Sequence, residues 1–486
     1  MHIFYKPYLI ASSILLLTPA TTTITNAFTI IPTTKTTTTT TTKSITTSFS
    51  KLKHQAISDG TELKVNGEST SSSSSSSIST NDKIESIRQQ AISQYEEAME
   101  YYMFELGNDI VFLSNHNEVS NYISTRFDTI IFDCDGVLYR GGGGGGEGGG
   151  NGNTPIPQSS EALRYLVQEQ QKQILFLTNN AEYSREELCT KLCTIFDCEE
   201  GEGLLKKEQM ITSSYSTAKY LESKLLKETT RVEESGSSGN VVVIGSNGLC
   251  NEIEKFGFQV KSLTNLLNSN NNSNNNNNNN NHNDDDDDDD NNHGVEYAMD
   301  RAALATFSFE DIETFPNNDH SNIVIDAIVI GLDTSFTYRK LCIVSALIQR
   351  HPNALFIATN EDAFDVVDGL SSNHNDKRNL PGNGSIVKSI EMTCQKKAIN
   401  VGKPSKVLVD LLQKEFQFDY DRTLMVGDRL DTDVKFGKDG GMKSALVLTG
   451  CTTVEKLKEV GVGTEEEPLP HIMIPHMGMM YGNYYE

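Results

Sequence analysis

Two short segments that combine aspartate with glycine carry the strongest chemical signal in the chain. Asp133 and Asp135 stand in "DCDG", and Asp428 and Asp433 stand in "GDRLDTD". Because side chains alternate along a strand, Asp133 and Asp135 are expected to face the same side. Carboxylates that meet at one point repel each other unless a cation neutralises them. Hard carboxylate oxygens favour Mg²⁺ over zinc, so these aspartates predict a magnesium site.

Two further segments supply groups that suit a phosphoryl group. Lys403 in "VGKPSK" offers a cation, and Thr178 in "LTNN" offers a hydroxyl. Taken singly, an aspartate at a strand end is more commonly a helix cap, and "GKPS" is more commonly an ordinary turn. The four segments together, in this order, favour phosphoryl chemistry.

Strand-like runs place these residues at the ends of elements. The runs are 129–135, 174–180, 241–245, 326–332, 354–360, 423–428 and 444–450. Helical patterns separate several of them, for example at 159–171 and 405–416, and an amphipathic helix is predicted at 84–104. Strands that alternate with helices predict an α/β fold with a parallel sheet covered on both faces. Ligands bind such sheets at the carboxyl ends of the strands, where the polar residues would converge.

Composition narrows the classes of function. The chain has 486 residues and a formal net charge of −25, which argues against nucleic-acid binding. Seven of these charges lie in Asp284–Asp290, a run that is typical of solvated segments. The cysteines lack zinc-site or CxxC spacing and are interpreted as reduced thiols. Cys134, between two aspartates, is interpreted as a small buried apolar residue in preference to a redox switch.

The chain resembles the haloacid dehalogenase superfamily of phosphohydrolases. The segments "DCDGVL", "LTNN", "GKP" and "GDRLDTD" are similar to its four motifs, in order. Others, including "DCDGVLYRG", "VIGSNGL" and "PGNGS", resemble the branch that contains phosphoglycolate phosphatase and 4-nitrophenyl phosphatases. The resemblance runs from about residue 120 to residue 463. It implies a Rossmann-like, doubly wound parallel-sheet core with an inserted α/β cap domain, and a phosphoric monoester hydrolase.

The resemblance also implies a role for each matched residue. Asp133 would be the nucleophile that forms an aspartyl-phosphate, and Asp135 would be the general acid and base. The carboxylates of Asp133 and Asp428, with the backbone carbonyl of Asp135, would hold Mg²⁺. Asp433 would support a Mg²⁺-bound water or Lys403. The residues expected to bind the phosphoryl group are Thr178, Asn179 and Lys403.

The predicted domains follow the motifs along the chain. Core residues 84–207 and 394–486 would flank a cap at 208–393, which carries a disordered Asn/Asp insertion at 268–293. The resemblance implies that the cap closes over the site, presents residues 359–385 to the substrate and mediates a homodimer. The glycine tract at 141–153 lacks a phosphate-loop signature, which favours a flexible spacer.

The first 83 residues are interpreted as a targeting presequence. An apolar stretch, Tyr8–Leu17, follows Lys6, and a Thr/Ser-rich stretch with lysines but no acidic residue spans Phe28–Ser58. This order resembles the bipartite presequence of algae with secondary plastids and predicts the plastid (chloroplast) stroma, with no membrane segment in the mature form. The alternatives are a cytoplasmic protein, or an uninformative tail behind a signal anchor.

The expected substrate is a small phosphate ester. The predicted plastid location and the family resemblance favour 2-phosphoglycolate, which oxygenase side-reactions of photosynthesis generate in the stroma and photorespiration consumes. A broad-specificity 4-nitrophenyl phosphatase or a pyridoxal phosphate phosphatase is the alternative. A catalytically inactive scaffold of the same fold is the interpretation from a different class of function, and the intact set of aspartates argues against it.

Overall fold

The computed structural model describes residues 79–107, 109–141, 153–198, 203–226, 239–263, 324–368 and 377–482. The targeting presequence up to residue 78, most of the glycine tract and the predicted disordered insertion at 268–293 lie outside the described residues. Residues 369–376 of the segment expected to face the substrate also lie outside them. Within the described ranges, no helix combines the length and apolar character needed to cross a bilayer.

Each strand-like run of the sequence contains a strand. The described strands are β1 (Val111–Phe112), β2 (Thr129–Phe132), β3 (Tyr139–Arg140), β4 (Thr154–Pro155), β5 (Gln173–Thr178), β6 (Met210–Thr212), β7 (Asn240–Ile244), β8 (Gln259–Ser262), β9 (Ala327–Ile330), β10 (Leu355–Ala358), β11 (Phe364–Asp368), β12 (Lys377–Pro381), β13 (Ile399–Asn400), β14 (Thr423–Gly427), β15 (Lys443–Val447) and β16 (Ile472–Ile474).

Helices occupy most of the connections between the strands. The described α-helices are α1 (Thr80–Glu100), α2 (His116–Arg126), α3 (Ser159–Arg164), α4 (Arg185–Phe196), α5 (Ser213–Leu221), α6 (Asn247–Lys255), α7 (Tyr338–Arg350), α8 (Asn383–Cys394), α9 (Lys406–Phe416), α10 (Lys435–Asp439) and α11 (Val454–Val460). Polar side chains define several starts. Ser184 and Glu187 form a capping box at α4, because each side chain accepts a hydrogen bond from the other residue's backbone N–H.

The larger sheet has the order β1-β16-β15-β14-β2-β5-β6 within the described residues, and every neighbouring pair is parallel. Strand β2 pairs with β5 on one side and with β14, from the other end of the chain, on the other. From β2 the chain adds β5 and β6 on one side, and from β14 it adds β15 and β16 on the other, so the strand order reverses between β2 and β14. Such a switch point leaves a crevice at the carboxyl ends of the strands.

Both faces of the larger sheet are covered by helices. Ile130 and Phe132 of β2 pack on one face with residues of α2, α3 and α4. Ile131, which points the other way, packs with residues of α5 and α9. Because the strand is buried on both faces, its sequence is continuously apolar rather than alternating. The predicted doubly wound α/β core is confirmed.

The second sheet forms the cap and has the order β13-β10-β9-β7-β8, again with parallel pairs throughout its described strands. Val242 and Ile244 face α7 and α8, whereas Val241 and Val243 face α5 and α6. An antiparallel hairpin of β11 and β12 follows β10. The hairpin begins at Phe364, five residues after the buried Thr359.

Two short edge strands belong to a different sheet from the one that the predicted cap limits, 208 and 393, imply. Strand β6 (Met210–Thr212) pairs with β5 of the larger sheet, and β13 (Ile399–Asn400) pairs with β10 of the smaller one. The cap sheet therefore begins after Thr212 and ends at Asn400. Strands of two or three residues show no periodicity, so the sequence alone did not reveal these two edge strands.

The helix predicted at 84–104 is present and belongs to the core. It runs from Thr80 to Glu100 and continues as a π-helical turn, Tyr101–Leu106. Tyr95 and Tyr102 are buried against α11 and the larger sheet, and the Tyr102 hydroxyl donates to the carbonyl of Leu457 at 2.9 Å. This helix therefore packs on the domain that carries the aspartates.

Candidate active site

The register of three adjacent strands brings the predicted residues together. Val426 of β14, Phe132 of β2 and Phe176 of β5 are aligned across the sheet. Asp133, Asp428 and Thr178 lie one or two residues beyond these positions, so they meet at the carboxyl edge. All three are buried. The convergence predicted from the strand ends is therefore present in the fold.

Lys403 lies at the centre of this edge although it comes from the segment that follows the cap. Its Nζ lies 2.5 Å from Asp133 Oδ1 and 2.8 Å from Asp433 Oδ1, and it donates to the carbonyl of Leu177 at 3.2 Å. Only 3% of the lysine side chain is exposed. A buried ammonium with two carboxylate partners provides a positive charge directly beside Asp133.

Three carboxylates surround a space that suits a divalent cation. Single oxygens of Asp133, Asp428 and Asp433 all lie within 4.8 Å of one another. With one ammonium beside them, two negative charges remain uncompensated when all groups are ionised. Hard oxygens and this charge match Mg²⁺ or a similar ion. A Cβ on Gly136 or Gly450 would overlap Asp428 Oδ2, so both glycines keep the space beside that carboxylate free.

Burial and mutual repulsion perturb the titration of these groups. Burial raises the pKa of Asp133 well above its usual value, and the Lys403 charge only partly opposes this. Burial, followed by the charge of Asp433, raises the pKa of Asp428 to about 6. Burial alone would lower the pKa of Lys403, but the charges of Asp133 and Asp433 raise it above its usual value. A bound cation would reduce the electrostatic repulsion between these carboxylates.

Backbone N–H groups hold the acidic segment in shape. Asp433 Oδ2 accepts from the backbone N–H groups of Asp428 and Arg429, both at 3.1 Å. Asp428 Oδ2 accepts from the backbone N–H of Cys451 at 2.5 Å. Asp433 thus closes the turn after β14 and also pairs with Lys403. The supporting role that the resemblance implied for Asp433 stays a prediction.

Asn179 lines the cavity and also contacts the lysine segment and the cap. Its side chain accepts from the backbone N–H of Lys403 at 2.8 Å and donates to the Lys403 carbonyl at 3.3 Å. It also donates to Asp362 Oδ1 at 2.9 Å. Both amide hydrogens are therefore used within the protein. These contacts fix the position of Lys403, and the expected contact of Asn179 with phosphate stays a prediction.

Thr178 and Asp135 face a cavity of about 410 Å³ between the two sheets. The Thr178 hydroxyl oxygen accepts from the backbone N–H of Asn180 at 3.1 Å, so its hydrogen is available to another acceptor. Asp135 is exposed within the cavity. Its withdrawal from bulk water raises its pKa, whereas the charge of Lys191 and a hydrogen bond from Tyr139 act in the opposite direction.

Several residues of the cavity were not identified from the sequence. Arg429 pairs with Asp431 at 2.9 Å and donates to the carbonyl of Phe364 at 3.2 Å, which joins the core to the cap hairpin. Glu182 and Asp365 add negative charge to the wall. Arg429 lies inside the recognised "GDRLDTD" segment, which was an available signal. Asp365 lies in the segment expected to face the substrate, and Glu182 follows "LTNNA" without a local pattern.

Cys134 is fully buried in the core beside β2. Burial and the two neighbouring aspartates raise the pKa of its thiol well above the usual value. A protonated, inaccessible thiol reacts slowly with oxidants. The interpretation of Cys134 as a small apolar core residue therefore fits its surroundings.

Comparison with known proteins assigns the chain to a family. Residues 130–259 match the family model for haloacid dehalogenase-like hydrolases, and residues 400–474 match a second one, described as HAD-hydrolase-like. Phosphoglycolate phosphatase 2 of Arabidopsis thaliana is 30% identical over 349 residues, which cover 72% of this chain and 91% of that protein. The chain belongs to the haloacid dehalogenase-like hydrolases. The predicted family, the α/β fold and the phosphatase class are confirmed.

Other relatives and solved structures match a similar share of the chain. Chronophin of Homo sapiens and 4-nitrophenylphosphatase of Schizosaccharomyces pombe are each 27% identical to it. The matches cover 72% and 71% of this chain, and 90% and 92% of those proteins. The crystal structure of a 4-nitrophenylphosphatase from Thermotoga maritima is 22% identical, with a TM-score of 0.47, and covers 74% of this chain and 98% of that one. A glycerol phosphate phosphatase from Mycobacterium tuberculosis, crystallised in complex with magnesium, has a TM-score of 0.47 and 22% identity; the match covers 74% of this chain and 77% of that one.

Proposed function

We propose that this phosphatase hydrolyses a small phosphate monoester in a Mg²⁺-dependent reaction with an aspartyl-phosphate intermediate on Asp133. The observation that carries the proposal is the buried contact between Asp133 and Lys403, at 2.5 Å, beside Asp428 and Asp433. A nucleophilic carboxylate next to a fixed positive charge suits attack on an anionic phosphoryl group.

Two steps account for the overall reaction. An oxygen of Asp133 attacks phosphorus, and the bond from phosphorus to the ester oxygen breaks as Asp135 gives a proton to that oxygen. The alcohol leaves, and Asp133 carries the phosphoryl group. Asp135 then takes a proton from a water molecule, which attacks phosphorus and releases phosphate. Both side chains return to their starting states, so Asp135 acts first as acid and then as base.

The carboxylates of Asp133 and Asp428, with the backbone carbonyl of Asp135, would hold Mg²⁺. The bound ion supplies positive charge that lowers the repulsion between the phosphoryl group and the aspartates. Asp433 keeps the turn after β14 in place through the backbone of Asp428 and Arg429. The Thr178 hydroxyl and the Lys403 ammonium would bind phosphoryl oxygens, and Lys403 would exchange one of its present acceptors for the substrate.

We propose 2-phosphoglycolate as the substrate, with glycolate and phosphate as products, as in photorespiration. Support comes from the Arabidopsis thaliana relatives named phosphoglycolate phosphatase, two of which carry "chloroplastic" in their names. Arg140 and Arg429 line the cavity, and either guanidinium would suit the glycolate carboxylate. A broad-specificity phosphatase is the second candidate. Glu182 and Asp365 line the same cavity, and their negative charge favours leaving groups that carry no carboxylate.

A panel of phosphate esters tests both the chemistry and the substrate. Protein of residues 79–486 would be assayed for phosphate release with Mg²⁺ and with EDTA, and kcat/KM compared for 2-phosphoglycolate, glycerol phosphate, pyridoxal phosphate and 4-nitrophenyl phosphate. The proposal expects activity only with Mg²⁺, its loss in Asp133→Asn, and the highest kcat/KM for 2-phosphoglycolate. Equal values across the panel would favour the broad-specificity enzyme. Turnover retained by Asp133→Asn would refute the aspartyl-phosphate mechanism.

We also propose import into the plastid stroma and a homodimer formed through the cap. The Thr/Ser-rich composition of the first 83 residues and the names of the chloroplastic relatives support the location. A fluorescent fusion of residues 1–83 should label the plastid, and a cytosolic signal would contradict this. Light scattering on residues 79–486 should give twice the monomer mass. A monomer would contradict the proposed dimer.

A further inference from the structure

Asp135, the proposed acid and base, is one end of a chain of hydrogen bonds that the proposed reaction does not use. The hydroxyl of Tyr139 lies 3.1 Å from Asp135 Oδ2. Lys191 Nζ, on α4, lies 3.0 Å from the same hydroxyl oxygen. Tyr139 is 1% exposed and begins strand β3, whereas Lys191 is half-buried. Fifty-two positions separate these two residues, so the tertiary fold creates their contact.

The chemistry of the three groups determines the direction of each hydrogen bond. An ammonium has three donors and no acceptor, so the Tyr139 oxygen must accept from Lys191. A tyrosine hydroxyl has one hydrogen, and Asp135 Oδ2 is the acceptor within reach. Lys191 therefore directs the Tyr139 hydrogen towards Asp135. Replacement of Tyr139 by phenylalanine would remove the hydrogen bond to Asp135 Oδ2. Replacement of Lys191 would leave the Tyr139 hydroxyl free to rotate away from Oδ2.

Aromatic rings hold Lys191 in its place. Its Nζ lies 4.4 Å from the centre of the Tyr139 ring and 4.7 Å from the centre of the Tyr183 ring. These distances are within the range of cation–π attraction, which is stronger for partly desolvated ammonium groups. Lys191 thus has two rings and a hydroxyl oxygen around its charge, which reduces its freedom to rotate away.

The hydrogen bond to Oδ2 leaves the other oxygen of Asp135 facing the cavity. A Cβ placed on Gly141, a residue of the cavity wall, would lie 3.6 Å from Asp135 Oδ1. The Asp135 side chain is exposed in that cavity, so it would sample several rotamers without a fixed partner. A proton transfer needs the carboxyl oxygen within hydrogen-bond distance of the leaving oxygen, in a narrow range of orientations.

We propose that Tyr139 and Lys191 are positioning residues that hold Asp135 Oδ2 and aim Oδ1 at the leaving-group oxygen of the substrate. The proposal rests on the proposed function, in which Asp135 gives a proton to that oxygen. It adds two residues that act through Asp135 and do not touch the substrate. Their effect is therefore tied to the need of each leaving group for a proton.

The test compares Tyr139→Phe with the unchanged protein on two substrates. An alkyl phosphate such as glycerol phosphate has a poor leaving group that requires the proton, whereas 4-nitrophenolate leaves without one. The measured quantity is kcat/KM, because it covers only the steps up to alcohol release and excludes hydrolysis of the aspartyl-phosphate. We expect Tyr139→Phe to lower kcat/KM about tenfold for the alkyl ester and less than about twofold for the aryl ester.

Two Lys191 variants and a matched tyrosine variant complete the test. Lys191→Met should show the same dependence on the leaving group, and Lys191→Arg should restore most of the activity on the alkyl ester. Tyr183→Phe keeps the ring beside Lys191 and should leave both values unchanged. The double variant Tyr139→Phe/Lys191→Met should lose no more than the larger single loss, because both changes remove one interaction.

The outcomes separate this inference from the proposed function. Equal losses on both esters, or no loss on either, would overturn the positioning role. If the positioning role failed in this way while Asp133→Asn abolished turnover, the aspartyl-phosphate mechanism would stand without a role for Tyr139 and Lys191. If Asp133→Asn stayed active, the proposed function itself would fail. Urea unfolding of each variant identifies a loss that arises from reduced folding.

Discussion

The buried contact between Lys403 and two aspartates makes a sharp prediction about stability. Lys403→Met keeps the length of the side chain but removes its charge. It leaves Asp133 and Asp433 buried without the ammonium that lies 2.5 Å and 2.8 Å from them. Removal of one partner from a buried ion pair typically costs about 3–5 kcal/mol. The hydrogen bond to the Leu177 carbonyl adds about 1 kcal/mol.

We therefore expect Lys403→Met to lower the free energy of unfolding by about 4–6 kcal/mol near neutral pH, measured by urea titration with EDTA present. EDTA is needed because a bound cation would replace the missing charge. Lys388→Met is the matched control. Lys388 also pairs with two carboxylates, Glu361 at 2.8 Å and Glu391 at 3.2 Å, but its side chain is 51% exposed. Glu391 is buried, but it keeps Lys397 at 2.7 Å and the backbone N–H of Ala398 at 2.9 Å when Lys388 is replaced. An exposed ammonium contributes at most about 1 kcal/mol, so this variant should change stability little.

The pH dependence of the loss provides a second criterion. Lys403 stays charged over the range studied, because its pKa is raised above the usual value. The carboxylates titrate instead, and burial already raises the pKa of Asp133 well above its usual value. Protonation removes the uncompensated charge that Lys403→Met leaves behind. The loss of stability should therefore shrink from about pH 8 to about pH 5. A loss below about 1 kcal/mol, or one independent of pH, would refute the reasoning.

Three further predictions concern the cation site and the first helix. Burial and the charge of Asp433 raise the pKa of Asp428 to about 6, so ionisation of Asp428 destabilises the metal-free fold above that pH. The gain in Tm from Mg²⁺ should therefore be larger near pH 8 than near pH 5. A gain that does not change with pH would contradict this prediction. Gly450→Ala should raise the Mg²⁺ concentration needed for activity at least about tenfold in a metal titration, because the added methyl group would overlap Asp428 Oδ2. An unchanged Mg²⁺ requirement would show that the segment around Gly450 moves aside. Removal of residues 79–106 should lower the free energy of unfolding in urea by at least about 3 kcal/mol, because the buried side chains of Tyr95 and Tyr102 are lost. An unchanged free energy of unfolding would exclude α1 from the core.

The aspartates and the parallel sheet were predictable because each has a local cause. An apolar run that ends in Asp133 or Asp428 reports a buried strand and its polar end without knowledge of any other element. The alternation of strands and helices then requires a covered parallel sheet. Parallel strands place their carboxyl ends at one edge, so the meeting of these residues follows from the order of the elements.

Contacts between distant elements had no such local cause. Asn179 binds the backbone of Lys403 across 224 positions, and Arg140 donates to Gln90 of α1 at 3.1 Å. Neither pair has a spacing that a single helix or strand would impose. The short edge strands β6 and β13 were missed for a related reason, because only their pairing with longer strands makes them strands.

Lys191 is a residue whose role is visible only in the tertiary structure. It is half-buried and lies three residues after the buried Leu188 on α4, a position that does not mark it in the sequence. The sequence alone determined the reactive groups, since their identity and the ends of their strands are written in short segments. The tertiary structure alone decided their partners. Whether Lys191 meets Tyr139, or Lys403 meets Asp133, depends on how whole elements pack, and that packing is determined by burial across the entire chain.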